Sequence, residues 1–344
     1  MVPSDDCQAQ MSLLFYTVAD RKYEMFIPLY IHYTLRSNPS SHIEIGLEDP
    51  CRYEQENSEI INILGSKYGN KFKLSKVNFG NNRPGAVRFV TEPDLADEHE
   101  YVYIGDIDIL IFDSGIESKH VEYMSENNIP FSNIVRSTDG VPENKYRLSG
   151  LHFAPTDLQY PLPKLDGINY SLDNQFVGAD ENALYKIMER KGQMIPFDLD
   201  YRPEHGIHMR SFHPFGKRRD GSTPEPSFEE ISNGNQEAAW TGLENEEYRK
   251  SFLNSLDEKT FKKMYSHLDM RVKNRLLVLE NACRGRFELL EEDAFKYIIR
   301  ESRRERLLRS LIYSLNRKGL KNTLSQKIVP YLVRTANRHL KKYV

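Results

Sequence analysis

Tryptophan and cysteine are scarce in this chain, with one and three among 344 residues. Cys7, Cys51 and Cys283 are odd in number, scattered and unmatched to any metal-ligand spacing, which argues against a disulfide framework and fits a reducing compartment. No run approaches the roughly 18 apolar residues that a membrane span needs. The start, "MVPSDDCQAQMSLLFYTVADRKYE", lacks a basic segment followed by an apolar one, so no secretory signal is expected and the cytoplasm is the expected location. Internal repeats and long low-complexity tracts are also missing.

What is present is a soluble-type composition, 39% hydrophobic and 28% charged, in a chain long enough for one large domain with an appendage or for two domains. The net charge of −3 conceals an asymmetry. Residues 301–344 carry 12 Lys and Arg against 2 Glu, which leaves the first 300 residues strongly acidic. That split describes a basic tail rather than a nucleic-acid-binding core, and no nucleic-acid partner is expected.

Along the chain, "SLLFYTVAD" (12–20) reads as a buried strand because its middle is continuously apolar. "YEMFIPLYIHYTLRSNP" has helical spacing and a stop at "SNP"; "HIEIGLED" (42–49) alternates like a strand; "SEIINILGSKY" (58–68) resembles an amphipathic helix. A short strand at 73–77 and a helix at 86–95 precede "YVYIGDIDILIF" (101–112). Strand alternating with helix predicts an α/β fold with a mostly parallel, Rossmann-like sheet flanked by helices. Further on, 147–155 has strand character, 179–192 is helical and 192–214 is strand and loop. The Gly-, Pro- and Ser-rich residues 216–237 read as a linker or mobile loop, and everything from 238 to 344 as a helical, basic C-terminal region, leaving 1–215 as the α/β domain.

Asp106 and Asp108 sit one residue apart in an apolar run, where a carboxylate is expensive unless something pairs with it. They interrupt the run after four residues of strand, which places them at the carboxyl edge of a parallel sheet, where such folds bind ligands. Two carboxylates at i and i+2 can approach one hard cation, and Mn²⁺ or Mg²⁺ held there can bridge the oxygens of a diphosphate. D-x-D is a cheap pattern, and Asp198 with Asp200 is a second copy; that copy lies among Pro196, Tyr201, Arg202 and Pro203 in an expected surface loop.

Over residues 13–217, in matching order, the chain resembles the GT-A class of nucleotide-sugar glycosyltransferases, most closely the retaining families 8 and 6. "YTVAD" is similar to the first-strand segment that receives the base and ribose, which implies donor contacts at Thr17, Asp20 and Tyr23, with Tyr16 and Tyr23 expected to stack. "AVRFVTEPDLADEHEYVYIGDIDILIF" resembles the stretch in which an arginine-bearing helix precedes "YLD-x-D", and Arg88 falls at that arginine. "RLSGLHF" resembles the strand with "N-x-G" beside the donor sugar, here Ser149 and Gly150. "ADENALYKI" resembles the family's helix start beside the anomeric carbon, which implies a role there for Asp180 and Glu181. "HGIHMRSFHPFGK" resembles the segment whose histidine completes the metal shell, implying His208, with His205 and His213 as competitors and Lys217 or Arg210 as diphosphate contacts. Gly105 departs from the family's leucine, and the Lys-Pro-Trp ending is missing.

The resemblance implies that Asp106, Asp108 and His208 hold the cation, that Arg88 adds a fixed positive charge, and that Glu181 is a nucleophile or stabilises an oxocarbenium-like centre. The plainer reading of "ADEN" is a favourable helix N-terminus. The implied function is retaining transfer of a sugar from a UDP-sugar to a cell-surface glycan or lipid-linked acceptor. A bacterial source is expected because Golgi relatives usually begin with a membrane anchor. The alternatives are a sugar nucleotidyltransferase, whose Gly-rich phosphate loop is missing from "VADRKYEMF", and a non-catalytic membrane-associated sugar-nucleotide-binding protein. In "RRERLLRSLIYSLNRK" (303–318), Leu307, Leu308, Leu311, Ile312 and Leu315 share a helical face opposite most of the arginines. This is the pattern of an interfacial helix that would hold the protein on an anionic membrane surface, at the inner face of the cell membrane; the plainer reading is a packed helical cap with a solvated charged face.

Overall fold

A computed structural model of the chain describes residues 13–137, 146–168, 170–171, 178–199, 202–209 and 242–286. It divides into two compact units, residues 1–210 with 215–273 and residues 211–214 with 274–344.

The first unit is built on a five-stranded sheet in the order β3-β2-β1-β4-β8. Strand β1 (Leu13–Ala19) lies at its centre with all seven residues buried, as its unbroken apolar sequence requires. It runs parallel to β2 (His42–Leu47) on one side and β4 (Tyr101–Ile104) on the other, and β3 (Phe72–Lys76) extends the sheet beyond β2. The last strand, β8 (His152–Pro155), is antiparallel to β4. The crossovers are helical: α1 (Ile27–Ser37), α2 (Pro50–Glu56), α3 (Ser58–Tyr68) and α4 (Pro84–Val90). The α/β fold with a mostly parallel sheet flanked by helices is therefore the one observed.

Several elements differ from the sequence reading for local reasons. The run 101–112 is two strands, because the chain turns through Asp106–Asp108 and β5 (Ile109–Ile111) leaves the main sheet to pair with β9 (Gly206–His208). Residues 147–155 likewise divide at Gly150 into β7 (Tyr146–Leu148), paired with β6 (Val135–Ser137), and β8. The helix expected at 86–95 ends at Val90, since Pro93 disfavours helical backbone in the residue before it. Helix α2 buries only Tyr53 and so has no periodic signature; it begins at Pro50 behind Asp49, whose side chain accepts from Arg52 N. Helix α5 (Ile116–Asn127) buries only Ile116, His120 and Tyr123.

Helix α6 (Thr156–Gln159) follows β8, and α7 (Ala179–Arg190) packs Ala183, Leu184, Ile187 and Met188 into a core shared with Leu14, Tyr16, Val102 and Ile104. Helices α8 (Glu246–Ser255) and α9 (Lys259–His267) belong to the same compact unit as the sheet. They are tied to α1 by Tyr33 Oη with Ser255 Oγ at 2.8 Å and by Arg36 Nε donating to Glu258 Oε1 at 2.6 Å. The second unit's described residues are 274–286, most of them in α10 (Met270–Cys283). The expected linker, 216–237, and the basic segment, 301–344, lie outside the described residues.

Candidate functional site

Strand β4 stops at Ile104, and Gly105 turns the chain across the carboxyl edge of the parallel strands. A Cβ at Gly105 would lie 2.8 Å from the Tyr103 ring, so this position has no room for the leucine of the resembled motif. Its carbonyl accepts from Thr17 Oγ1 at 2.8 Å and Arg88 Nη1 at 3.2 Å. Asp106, next in sequence, pairs through Oδ1 with Arg88 Nη1. Asp108 is buried, and His208 reaches it because β9 pairs with β5 in a register that sets His208 opposite Ile109. His208 Nε2 stands 3.1 Å from Asp108 Oδ1 and 4.0 Å from Asp106 Oδ2. One ligand atom from each of the three residues falls within 4.8 Å of the others. Two carboxylate oxygens and an imidazole nitrogen gathered at this edge of the sheet are a donor set suited to a divalent cation such as Mn²⁺.

Arg88 is buried, which works against its charge, but Asp106, Asp180 and Glu181 around it hold its pKa above the ordinary value. Its Nε is buried without a partner. Gly150 lies between these groups: a Cβ there would sit 3.0 Å from Arg88 Nη2, 3.6 Å from Glu181 Oε1 and 3.9 Å from Asp106 Oδ2.

Asp180 and Glu181 occupy the first turn of α7, behind Gly178 at φ +86°. Neither caps the helix through its side chain. Asp180 lies against Gly85 of α4, where a Cβ would come within 2.8 Å of its Oδ2. Glu181 accepts from Gly150 N at 3.2 Å and pairs with Arg147, while Arg136 Nη1 stands 3.8 Å away. Burial raises the Glu181 carboxyl above its usual pKa, and Arg147 and Arg136 draw it part of the way back. The two arginines are direct cross-strand partners on β6 and β7, an unfavourable like-charge pair that Glu181 offsets.

Ser149 is buried and oriented by Asn133, whose Oδ1 accepts from Ser149 N at 2.8 Å, and by Arg202, whose Nε and Nη2 donate to Ser149 Oγ at 3.1 and 2.9 Å. Asp20 follows β1 and uses Oδ1 to accept from Lys22 N and Tyr23 N, both at 3.1 Å, which shapes the turn presenting Tyr23. Tyr16 is fully buried in the core, where its ring cannot stack on a ligand. Asp198, of the second D-x-D, is exposed, and its partner Asp200 lies outside the described residues, as do Arg210, His213 and Lys217.

His205 is not at the metal edge. Its Nδ1 donates to Asp113 Oδ2 at 3.1 Å, its Nε2 lies 2.7 Å from His120 Nε2, and His120 Nδ1 lies 2.7 Å from Ser132 Oγ. With both rings neutral every contact has one proton: Ser132 to His120, His120 to His205, His205 to Asp113. This buried chain fastens the segment leading into β9, and so His208, to α5. Sequence reasoning missed Arg136, Arg147, Arg202, Asn133 and this chain. Arg147 adjoins a recognised motif, but its charge gave no sign of its partner.

No protein-family profile and no curated protein matches the chain. Among solved structures it is similar to the galactosyltransferase LgtC in complex with donor and acceptor sugar analogs (13% identity, TM-score 0.29, 42% of this chain and 58% of that one). It is similar to the glycosyltransferase GlyE of Streptococcus pneumoniae TIGR4 (13%, 0.35, 53% and 44%). It is also similar to the mannosyltransferase PcManGT from Pyrobaculum calidifontis in complex with GDP-Man and Mn²⁺ (12%, 0.33, 96% and 86%). The chain thus spans little more than half of the LgtC structure and less than half of GlyE.

Proposed function

We propose that this protein is a metal-dependent glycosyltransferase that takes a sugar from a nucleoside diphosphate. The observation that carries the reading is the convergence of Asp106, Asp108 and His208 at the carboxyl edge of a parallel sheet, with Arg88 and Glu181 on either side of Gly150. A bound divalent cation would offset the negative charge of the diphosphate oxygens. Around it, Arg88 supplies a positive charge that Asp106, Asp180 and Glu181 keep permanent and that its ion pair with Asp106 fixes in place. The lack of a side chain at Gly150 lets Arg88 and Glu181 approach from either side, and its N–H fixes one carboxylate oxygen of Glu181. Arg147 holds the other oxygen. Glu181 is thus an oriented anion one glycine away from the metal edge, the placement required of a group that stabilises positive charge at a sugar carbon.

The finer reading is a UDP-sugar donor, transfer with retention, and a cell-surface glycan or lipid-linked acceptor, on an anionic membrane surface held through residues 301–344. Its support is the motif order and the basic, amphipathic pattern of the tail. The test is a screen of UDP- and GDP-sugars for Mn²⁺-dependent release of the nucleoside diphosphate, which needs no known acceptor. The expected result is slow hydrolysis of one UDP-sugar, lost on chelation; metal-independent release, or none from any donor, overturns the reading.

A further inference from the structure

At the opposite edge of the sheet, where the strands begin, the structure holds a groove of about 670 Å³ between the end of α1, the end of α3 and the start of α9. Four cationic side chains line it, Arg36, Lys67, Lys71 and Lys259, against one acid, Glu258. That acid is already engaged: Arg36 holds it at 2.6 Å and also donates to Ser251 Oγ at 2.9 Å. Lys71 donates to the Pro39 carbonyl, which satisfies a hydrogen bond and leaves the charge uncompensated. Among the described residues, no carboxylate forms an ion pair with Lys67, Lys71 or Lys259. The groove therefore gathers a surplus of three positive charges in a chain whose first 300 residues are strongly acidic.

The field reaches inward. His32 is fully buried beneath Tyr68, a lining residue, and its pKa falls to about 3, through burial first and then through Arg36 and Lys67. Like charges gathered in a concavity repel one another and focus a positive potential there, which favours an anion of matching size. Leu35, Pro39 and Tyr68 give the groove an apolar wall beside the cations. We propose that this groove is a binding site for a phosphate-bearing ligand, separate from the metal edge. A phosphate or diphosphate group would lie among Lys67, Lys71 and Lys259, and a small organic body would lie against Tyr68. The volume suits a small molecule or one phospholipid headgroup.

The test uses the full chain in EDTA, so that no divalent cation draws the probe to the acidic edge. Titration calorimetry with pyrophosphate at low salt is expected to show saturable binding, weakened at least tenfold in Lys67→Gln/Lys259→Gln and weakened by added salt. Both positions are exposed, so the double variant is expected to keep the wild-type melting temperature. If it does not, Lys67→Gln alone is read instead, with a loss of about threefold or more. Absence of saturable binding to the wild type, or equal affinity in a folded variant, overturns the proposal. A second arm compares the wild type and the double variant on phosphatidylglycerol and phosphatidylcholine vesicles, the basic tail being present in both. Loss of phosphatidylglycerol binding in the variant assigns a lipid headgroup; unchanged vesicle binding with lost pyrophosphate binding assigns a soluble phosphorylated ligand.

Discussion

Replacing Arg88 by methionine separates two effects that a general loss of structure would not. Its side chain is 6% exposed and that of Asp106 is 33% exposed. Removing one partner from a fully buried ion pair costs about 3–5 kcal/mol, and water access to Asp106 reduces this to roughly 2 kcal/mol. The Gly105 carbonyl adds little to that cost, because Thr17 still donates to it. Urea unfolding is therefore expected to show a folded variant about 2 kcal/mol less stable. At the site the change has opposite signs for two ligands. Asp106 loses its competing cation, so Mn²⁺ binds more tightly, by about tenfold for roughly 1.4 kcal/mol of removed repulsion at an intermediate dielectric. The diphosphate loses a fixed positive charge, so UDP at saturating Mn²⁺ binds about tenfold more weakly. Calorimetry on both ligands reads the pair of shifts. A folded variant whose Mn²⁺ affinity does not rise, or whose UDP affinity is intact, refutes the placing of Arg88 between metal edge and diphosphate.

Asp106→Ala and Asp108→Ala are each expected to abolish Mn²⁺-dependent UDP binding and leave a folded protein; the check is UDP titration with and without Mn²⁺, alongside circular dichroism. Glu181→Gln should lower donor turnover by a few orders of magnitude with little change in donor affinity, since the amide keeps the shape and loses the charge; near-normal turnover would return Glu181 to a helix-terminus role. Because burial raises the Glu181 pKa and Arg147 lowers it, the ionised form is gained above the ordinary carboxylate range, and Arg147→Gln should move the acid limb of kcat/KM to higher pH; an unmoved limb would show that Glu181 ionisation does not control the rate. Truncation near Glu301 should abolish low-salt co-sedimentation with anionic vesicles and spare UDP binding, whereas sedimentation indifferent to lipid charge would remove the tail's membrane role.

The central sheet was readable because β1 and β2 carry their burial in the sequence, one as a continuous apolar run and the other as alternation. Asp106 and Asp108 were readable for the converse reason, as charges where the pattern demanded none. The fate of the run 101–112 was not, since β5 pairs with β9 nearly a hundred residues later and a contact of that range leaves no periodic trace. The surroundings of Glu181 were hidden in the same way: Arg147 and Arg136 come from a two-stranded ribbon, and a charge in sequence does not name its partner. Gly105 read as a departure from a motif, yet it is what the Tyr103 ring permits.

The buried histidines have a consequence for the whole molecule. His32, His120, His152 and His205 are all kept neutral chiefly by burial, with pKa values pushed down, to about 3 for His32 and about 4 for His152. An unfolded chain takes up these protons near pH 6.5 while the native one refuses them, so acidification below that point favours unfolding. His32 and His152 each contribute about 1.4 kcal/mol per pH unit once the pH is well below 6.5 and still above the native pKa, or roughly 3 kcal/mol per unit together, and His120 and His205 act in the same direction. Against a typical total of about 5–15 kcal/mol, that is an acid fuse built into the interior. Between pH 7 and pH 5 the urea midpoint is expected to collapse rather than drift, and a flat midpoint would mean that the native protein accepts the protons after all. A scaffold of this kind is confined to near-neutral surroundings by its own packing, whatever the pH preference of the chemistry at its edge.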